Sequence, residues 1–198
     1  MLRRTVIGAG LAINLSFGAA SARSPWRTLF DGHSLGGWSQ TGDANWNLRD
    51  GVVQANTGAG FLVSDETFGD AEIRAEFWVS EDANSGIFIR CTNPLRIDPV
   101  SAYEVNIYDR RPDPAYGTGG IVGVAKVSPM PQAGGRWNVM EIAAKGDRFA
   151  VTVNGARTVD NVQDARLAHG RIALQYGAGL VKFRRVQVRP IYTSPPIE

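Results

Sequence analysis

Apolar and polar residues alternate along two short runs, Asn84-Ser85-Gly86-Ile87-Phe88-Ile89-Arg90 and Tyr103-Glu104-Val105-Asn106-Ile107-Tyr108-Asp109. Successive side chains of a strand point to opposite faces. Ile87 and Ile89 therefore share one face, and Asn84, Phe88 and Arg90 the other. In the second run Tyr103, Val105 and Ile107 oppose Glu104 and Asn106. Each run predicts a strand with one core face and a second face of amides, a carboxylate, a guanidinium and an aromatic ring. A solvated outer face is the plain alternative, but such faces favour Lys, Thr, Ser and Glu with few aromatics. The combination here fits the floor of a sugar-sized cleft.

The same alternation recurs downstream of the N-terminus. Short β-branched or alternating runs, separated by Gly, Asn, Asp and Pro, predict strands at Gly51–Ala55, Phe61–Ser64, Ala71–Ser80, Gly86–Cys91 and Ala102–Tyr108. Four more fall at Trp137–Ala143, Arg148–Asn154, Gly170–Tyr176 and Val181–Arg189. Lys145-Gly146-Asp147 and Val153-Asn154-Gly155-Ala156 read as hairpin turns, Asn-Gly suiting the positive φ such turns need. No run of about 12 residues there carries a helical period. Many antiparallel strands in one domain predict an all-β fold, a jelly-roll or lectin-type sandwich of two antiparallel sheets. The Pro-, Asp- and Gly-rich stretches Thr92–Ser101 and Arg110–Gly120 flank the Glu104 strand and are expected to form the rim of a site.

Residues 1–22 read as an export signal. Arg3 and Arg4 precede a moderately apolar stretch from Thr5 to Phe17, and Ala20-Ser21-Ala22 supplies small residues for cleavage. The stretch is shorter than the roughly 20 residues of a membrane span. Its Arg pair and weak hydrophobicity fit the twin-arginine route as well as ordinary secretion. Residues 23–198 are expected to be a single domain exported to a bacterial periplasm. The whole chain has 21 Lys+Arg and 19 Asp+Glu. Two of the basic residues lie in the leader, which has no acidic ones, so the rest is balanced. Net charge therefore gives no support to a nucleic-acid or anionic-membrane partner. Cys91 is the only cysteine, which excludes an intrachain disulfide. Its parity with Ile87 and Ile89 makes it a buried small hydrophobe.

The chain resembles the 3-keto-disaccharide hydrolase family, also described as a 3-keto-α-glucoside 1,2-lyase/3-keto-2-hydroxy-glucal hydratase domain. The resemblance runs through Leu29-Phe30-Asp31-Gly32, Leu35-x-Gly37-Trp38, Asp50-Gly51-Val52-Val53, Phe61-Leu62-Val63-Ser64 and Phe68-Gly69-Asp70. It continues through Asn84-Ser85-Gly86-Ile87 with Arg90, Tyr103-Glu104-Val105-x-Ile107-x-Asp109, Gly117-Thr118-Gly119 and Trp137-Asn138. Val153-Asn154-Gly155, Gly170-x-Ile172-x-Leu174-Gln175 and Phe183-Arg184 complete it. The chain departs from the family pattern at Asn106, where Gln is usual. Tyr176 and Arg185 stand where the family often has His and Asn.

The resemblance implies a concanavalin-like sandwich acting on a sugar already oxidised to a ketone at C3. That ketone acidifies the C2 proton; a base removes it, and the C1 leaving group departs. Such chemistry needs a carboxylate, donors for the enolate oxygen, and an acid or metal at the leaving group. Glu104 is the candidate base or metal ligand and Arg90 the candidate oxyanion clamp. Asn84, Asn106 and Gln175 are candidate hydroxyl binders, with Tyr108 and Lys126 further candidates for the binding wall. Strict alternation sets Asp109 on the core face, where a lone carboxylate is costly. A bulge near Tyr108 would return it beside Glu104, whereas a strand end would leave it solvated in the turn. Glu104, Asp109 and Asn84 offer oxygen ligands suited to Ca²⁺, Mg²⁺ or Mn²⁺. The expected partners are a small 3-keto-glycoside and a separate sugar oxidoreductase that makes the ketone, because the chain lacks a dinucleotide-binding Gly-rich turn.

Two other classes compete. The spacing Glu104-x-Asn106-x-x-Asp109 is near the Glu-x-Asp-x-x-Glu of retaining laminarinase-type glucanases, whose two carboxyl groups stand about 5–5.5 Å apart. A non-catalytic lectin-like module would instead stack sugar on tryptophan, Trp78 being the one expected to be exposed.

Overall fold

A computed structural model describes residues 24–192. The expected leader lies outside the described residues, and so does the tail after residue 192. The strands are β1 (Arg27–Phe30), β2 (Trp38–Gly42), β3 (Asn47–Arg49), β4 (Val52–Ala55), β5 (Gly60–Phe68) and β6 (Ala71–Val79). They continue as β7 (Asn84–Cys91), β8 (Tyr103–Ile107), β9 (Trp137–Lys145), β10 (Arg148–Val153), β11 (Ala156–Gln163), β12 (Gly170–Ala178) and β13 (Val181–Pro190). One single-turn helix, Pro114–Tyr116, interrupts the long connection after β8. No helix among the described residues is long and apolar enough to cross a membrane.

The strands form the expected sandwich of two antiparallel sheets. The larger runs β11-β10-β9-β6-β13-β4-β3, with β1 also pairing with β13. The smaller runs β2-β5-β12-β7-β8. Period-two burial shows why: along β6, Ala71, Ile73, Ala75, Phe77 and Val79 are buried while the intervening residues are only half covered. Val181, Phe183, Val186 and Val188 do the same in β13, whose register shifts between Phe183 and Arg185 so that Arg184 and Arg185 both stay exposed. Inner residues of both sheets make one continuous core that includes Phe77, Phe149, Ile87, Ile89, Tyr103 and Ile172. Each such side chain contributes roughly 1.5–3 kcal/mol on burial. Tyr103 and Phe149 join the two layers directly, with ring centroids 4.5 Å apart. The Asn154-Gly155 pair forms the predicted hairpin turn, with φ of 51° and 82° and Val153 paired to Ala156.

Pattern reading does not reveal β1, β2, β3 or β11. These are short or polar, and three of them are sheet edges. Edge strands have one open side and need no apolar alternation to hold them.

Candidate active site

The outer face of the smaller sheet carries several of the candidate site residues, and their lattice follows from strand register. One row across the sheet is Thr41–Phe61–Gln175–Gly86–Asn106. The next is Ser39–Val63–Ala173–Phe88–Glu104. Glu104, Asn106 and Phe88 thus share a face as alternation predicts, and Gln175 joins them from β12. Asn84, at the start of β7, lies against Gly177, two residues beyond Gln175. Half-buried Phe61, Asn84 and Gln175 mark where the face opens to solvent.

Both flanking segments pack where a rim is expected. Thr92–Ser101 is closed at its base by Thr92 N–H donating to Ser101 O (2.9 Å), and Thr41 Oγ1 donates to Pro94 O (3.0 Å). Its Ile97 packs onto a small apolar cluster of Val63, Phe88, Cys91, Ala102 and Ala173. The segment after β8 returns along that strand's free edge. Asn106 N–H donates to Gly120 O (3.0 Å), Gly119 N–H to Asn106 O (2.9 Å) and Val122 N–H to Glu104 O (3.0 Å).

Glu104 is only 8 % exposed, and among the described residues no donor is bonded to its carboxyl. Burial pushes its pKa above the ordinary carboxylate value, with the charge of Arg111 opposing the shift. Asn106 is fully buried; its Nδ2 donates to Tyr116 O (2.6 Å) while its Oδ1 has no partner. Gln175 Oε1 is likewise buried and unpartnered. A carboxyl group and two unpartnered amide oxygens on one face offer acceptors to a ligand that brings hydroxyl groups.

Arg90 is not part of this face. Its φ of 53° is left-handed, and here β12 has one residue, Ile172, between Arg171 and Ala173, while β7 has two, Ile89 and Arg90, between their partners Phe88 and Cys91. This is a β-bulge, and it turns Arg90 to the core side of the sheet. There Nη1 donates to Gly146 O (2.7 Å) and Leu167 O (2.8 Å), Nη2 donates to Asp70 Oδ1 (3.2 Å), and the guanidinium lies 5.0 Å from the Phe149 ring centroid. Burial lowers its pKa, with Asp70 pulling the other way. The expected Glu104–Arg90 pairing is therefore absent. The bulge also reverses the parity of Cys91, which joins the apolar cluster on the Glu104 side instead of Ile87 and Ile89.

Asp109 is held elsewhere too. β8 ends at Ile107, and the Asp109 carboxylate accepts from Thr118 Oγ1 (2.6 Å) and from the N–H groups of Ala133 (2.7 Å) and Gly134 (2.9 Å). It is neither beside Glu104 nor solvated; it fastens a loop. The oxygen set of Glu104, Asp109 and Asn84 is not assembled, and no group of three or more His, Cys, Asp or Glu among the described residues could hold a metal ion. Tyr108 follows the strand end, its N–H donating to Thr118 Oγ1 (2.9 Å). Lys126 is exposed on the loop after the bridge between Ile121 and Ala125. Trp78 is half covered beneath Lys182, 5.0 Å from the ring centroid, whereas Trp137 is the more exposed at 36 %. A hollow of about 620 Å³ lies on the other sheet, lined in part by Asp70, Gly146 and Phe149; these hold Arg90 and no site residue of the Glu104 face.

Two residues of the site escape pattern reading. Arg111 is the cation that acts on Glu104, but it lies in a loop, where alternation gives no direction. Phe61 meets Phe88 edge-to-face at 5.2 Å; its parity with Val63 was the available signal.

The 3-keto-alpha-glucoside-1,2-lyase-like domain profile matches residues 25–189. The chain belongs to this family. Membership places it among carbohydrate-active proteins. Among curated proteins none matches. Two solved structures from Parabacteroides distasonis, both described as candidate glycosyl hydrolases, share the fold. One has a TM-score of 0.70 at 22 % identity, covering 84 % of this chain and 100 % of its own. The other has 0.75 at 16 %, covering 84 % and 94 %. The carbohydrate-binding module CBM66 from Bacillus subtilis gives 0.63 at 14 %, covering 77 % and 95 %. This chain is thus a concanavalin-like jelly-roll sandwich, with the candidate residues Glu104, Asn106 and Gln175 on its smaller sheet.

Proposed function

We propose that this family member cleaves 3-keto-glycosides by elimination, with water adding back to give net hydrolysis of the glycosidic bond. The observation that carries the reading is Glu104: a buried carboxyl group with no donor bonded to it, its pKa raised by burial, the direction that suits a proton-transfer group. In this scheme Glu104 takes the proton from C2 of the sugar. The C2–H electrons form the C1=C2 bond through the C3 enolate as the C1–O bond breaks and the ketone re-forms. The departing oxygen takes up a proton, and water then adds across C1=C2. Arg111, in place of Arg90, is the cation beside the developing enolate. Asn84 and Gln175, half-buried where the face opens, accept from sugar hydroxyls, Asn106 lies beneath them, and Phe61 offers an apolar edge.

The ketone comes from a separate sugar oxidoreductase, and the leader in residues 1–22 sends the protein to the periplasm. The site is proposed to work through side chains of this chain, with divalent-metal dependence left to the chelator arm of the test. A direct retaining glycosidase is disfavoured because the Asp109 carboxylate is spent on Thr118 and two backbone N–H groups, leaving Glu104 without a second carboxyl.

Offering the purified protein a 3-keto-glucoside beside the unoxidised glucoside, with and without chelator, tests the reading. Turnover of the ketone alone is expected. Turnover of the plain glucoside would replace the reading with direct hydrolysis, and binding without turnover with a lectin. Glu104→Gln should lower kcat at least 10²-fold while the circular dichroism spectrum stays native; near-native kcat would remove Glu104 from the role.

A further inference from the structure

Gly86 sits in the middle of a central strand, where a glycine weakens pairing and commonly marks a close approach. Its φ is not positive, so no turn demands it. A Cβ built there would meet Phe88 Cε2 at 3.3 Å, Gln175 Oε1 at 3.4 Å and Glu104 Cγ at 3.4 Å. The last two come from the strands on either side of β7. They reach over the same missing methyl group, so they stand at most twice that distance apart. A Glu104 that is 92 % buried and a Gln175 oxygen with no partner in the chain make this gap a place for a ligand atom.

We propose that Gly86 is a positioning residue: its bare backbone lets the Glu104 carboxyl and the Gln175 amide converge across β7 and grip one edge of a sugar ring between them. The inference rests on the reading of this face as the reaction site. Without a side chain at position 86, the two groups meet over the strand with the Phe88 ring edge closing the third side. With one, the Phe88 ring edge must give by a few tenths of an ångström, and the methyl group fills the gap between Glu104 and Gln175 at the limit of contact with both. The ring would lose alignment with Glu104 before it lost contact, so kcat should suffer more than KM. Alanine is favoured over glycine in a strand of ordinary φ, so a fall in activity would not follow from a weakened fold.

Gly86→Ala tests this with two readouts. Carboxyl titration of Glu104, followed by ¹³C NMR, needs no substrate: its midpoint should fall toward the ordinary glutamate value as the carboxyl is pushed toward solvent. On a 3-keto-glucoside, kcat should drop about tenfold or more with KM changed less than threefold and the melting midpoint unchanged or raised. Unchanged titration and unchanged kcat in a folded variant would overturn the proposal. If the wild-type protein turns over no 3-keto-glucoside, the functional reading fails, and the titration still decides the role of Gly86. If Gly86→Ala does not accumulate folded, Gly86→Ala/Phe88→Leu, which relieves the ring contact, is compared with Phe88→Leu alone. A lowered Glu104 midpoint in the pair supports the proposal, and an equal one overturns it.

Discussion

Glu104 faces a protein that gives its charged form little help. Because its folded pKa is raised, its protonated form is the one the native state favours. Its contribution to stability is therefore fully present below the unfolded carboxylate value and is lost as pH rises through the folded one. Wild-type protein should accordingly lose stability across that window, whereas Glu104→Gln should not, which denaturant melts at stepped pH would reveal. Parallel pH profiles for the two would mean that the carboxyl is better solvated than its burial suggests. At this scale the sequence was partly legible. The shared face of Glu104, Asn106 and Phe88 follows from period two alone. Arg90 does not, because a single left-handed residue resets the alternation, and nothing in Phe88-Ile89-Arg90-Cys91 announces a bulge. Arg111 lay beyond reach for another reason: side-chain direction in a loop is fixed by tertiary packing.

At the scale of elements, the bulge in β7 acts as a joint. Arg90 ties β7 to the β9–β10 turn through Gly146 O and to the segment before β12 through Leu167 O, while Asp70 Oδ1 also accepts from Gly146 N–H (2.8 Å). Gly170 of β12 passes so near that a Cβ there would stand 2.4 Å from the Arg90 carbonyl carbon. Arg90→Met keeps the contact with Phe149 but leaves Asp70 without its cation. Because Asp70 is about a quarter exposed, the loss is that of a charged hydrogen bond, roughly 1.5–3 kcal/mol, or about 5–10 °C in melting midpoint for a chain of this size. A calorimetric shift of only a degree or two would show the joint to be dispensable. The nine strands that alternation predicts are those with at least one buried face. β2, β3 and β11 have mostly polar, exposed side chains and are held by partners on one side only, so their sequences carry the signal of a surface.

Across the whole molecule, one apolar core joins the inner faces of both sheets, and the strand order places sequence-distant segments side by side. Tryptophan fluorescence and far-ultraviolet dichroism should then report a single coincident unfolding transition, and refolding should be slow because non-local pairing must form first. Two separated transitions would mean that the sheets open independently. The reversed parity of Cys91 bears on the same event. Burial pushes its thiol up to about 12, and the apolar cluster beneath the Thr92–Ser101 segment encloses it. A thiol-specific dye should thus be refused by the native protein and react only as that covering segment lifts, which makes this lone sulfur a built-in clock for how often the roof over the site comes off.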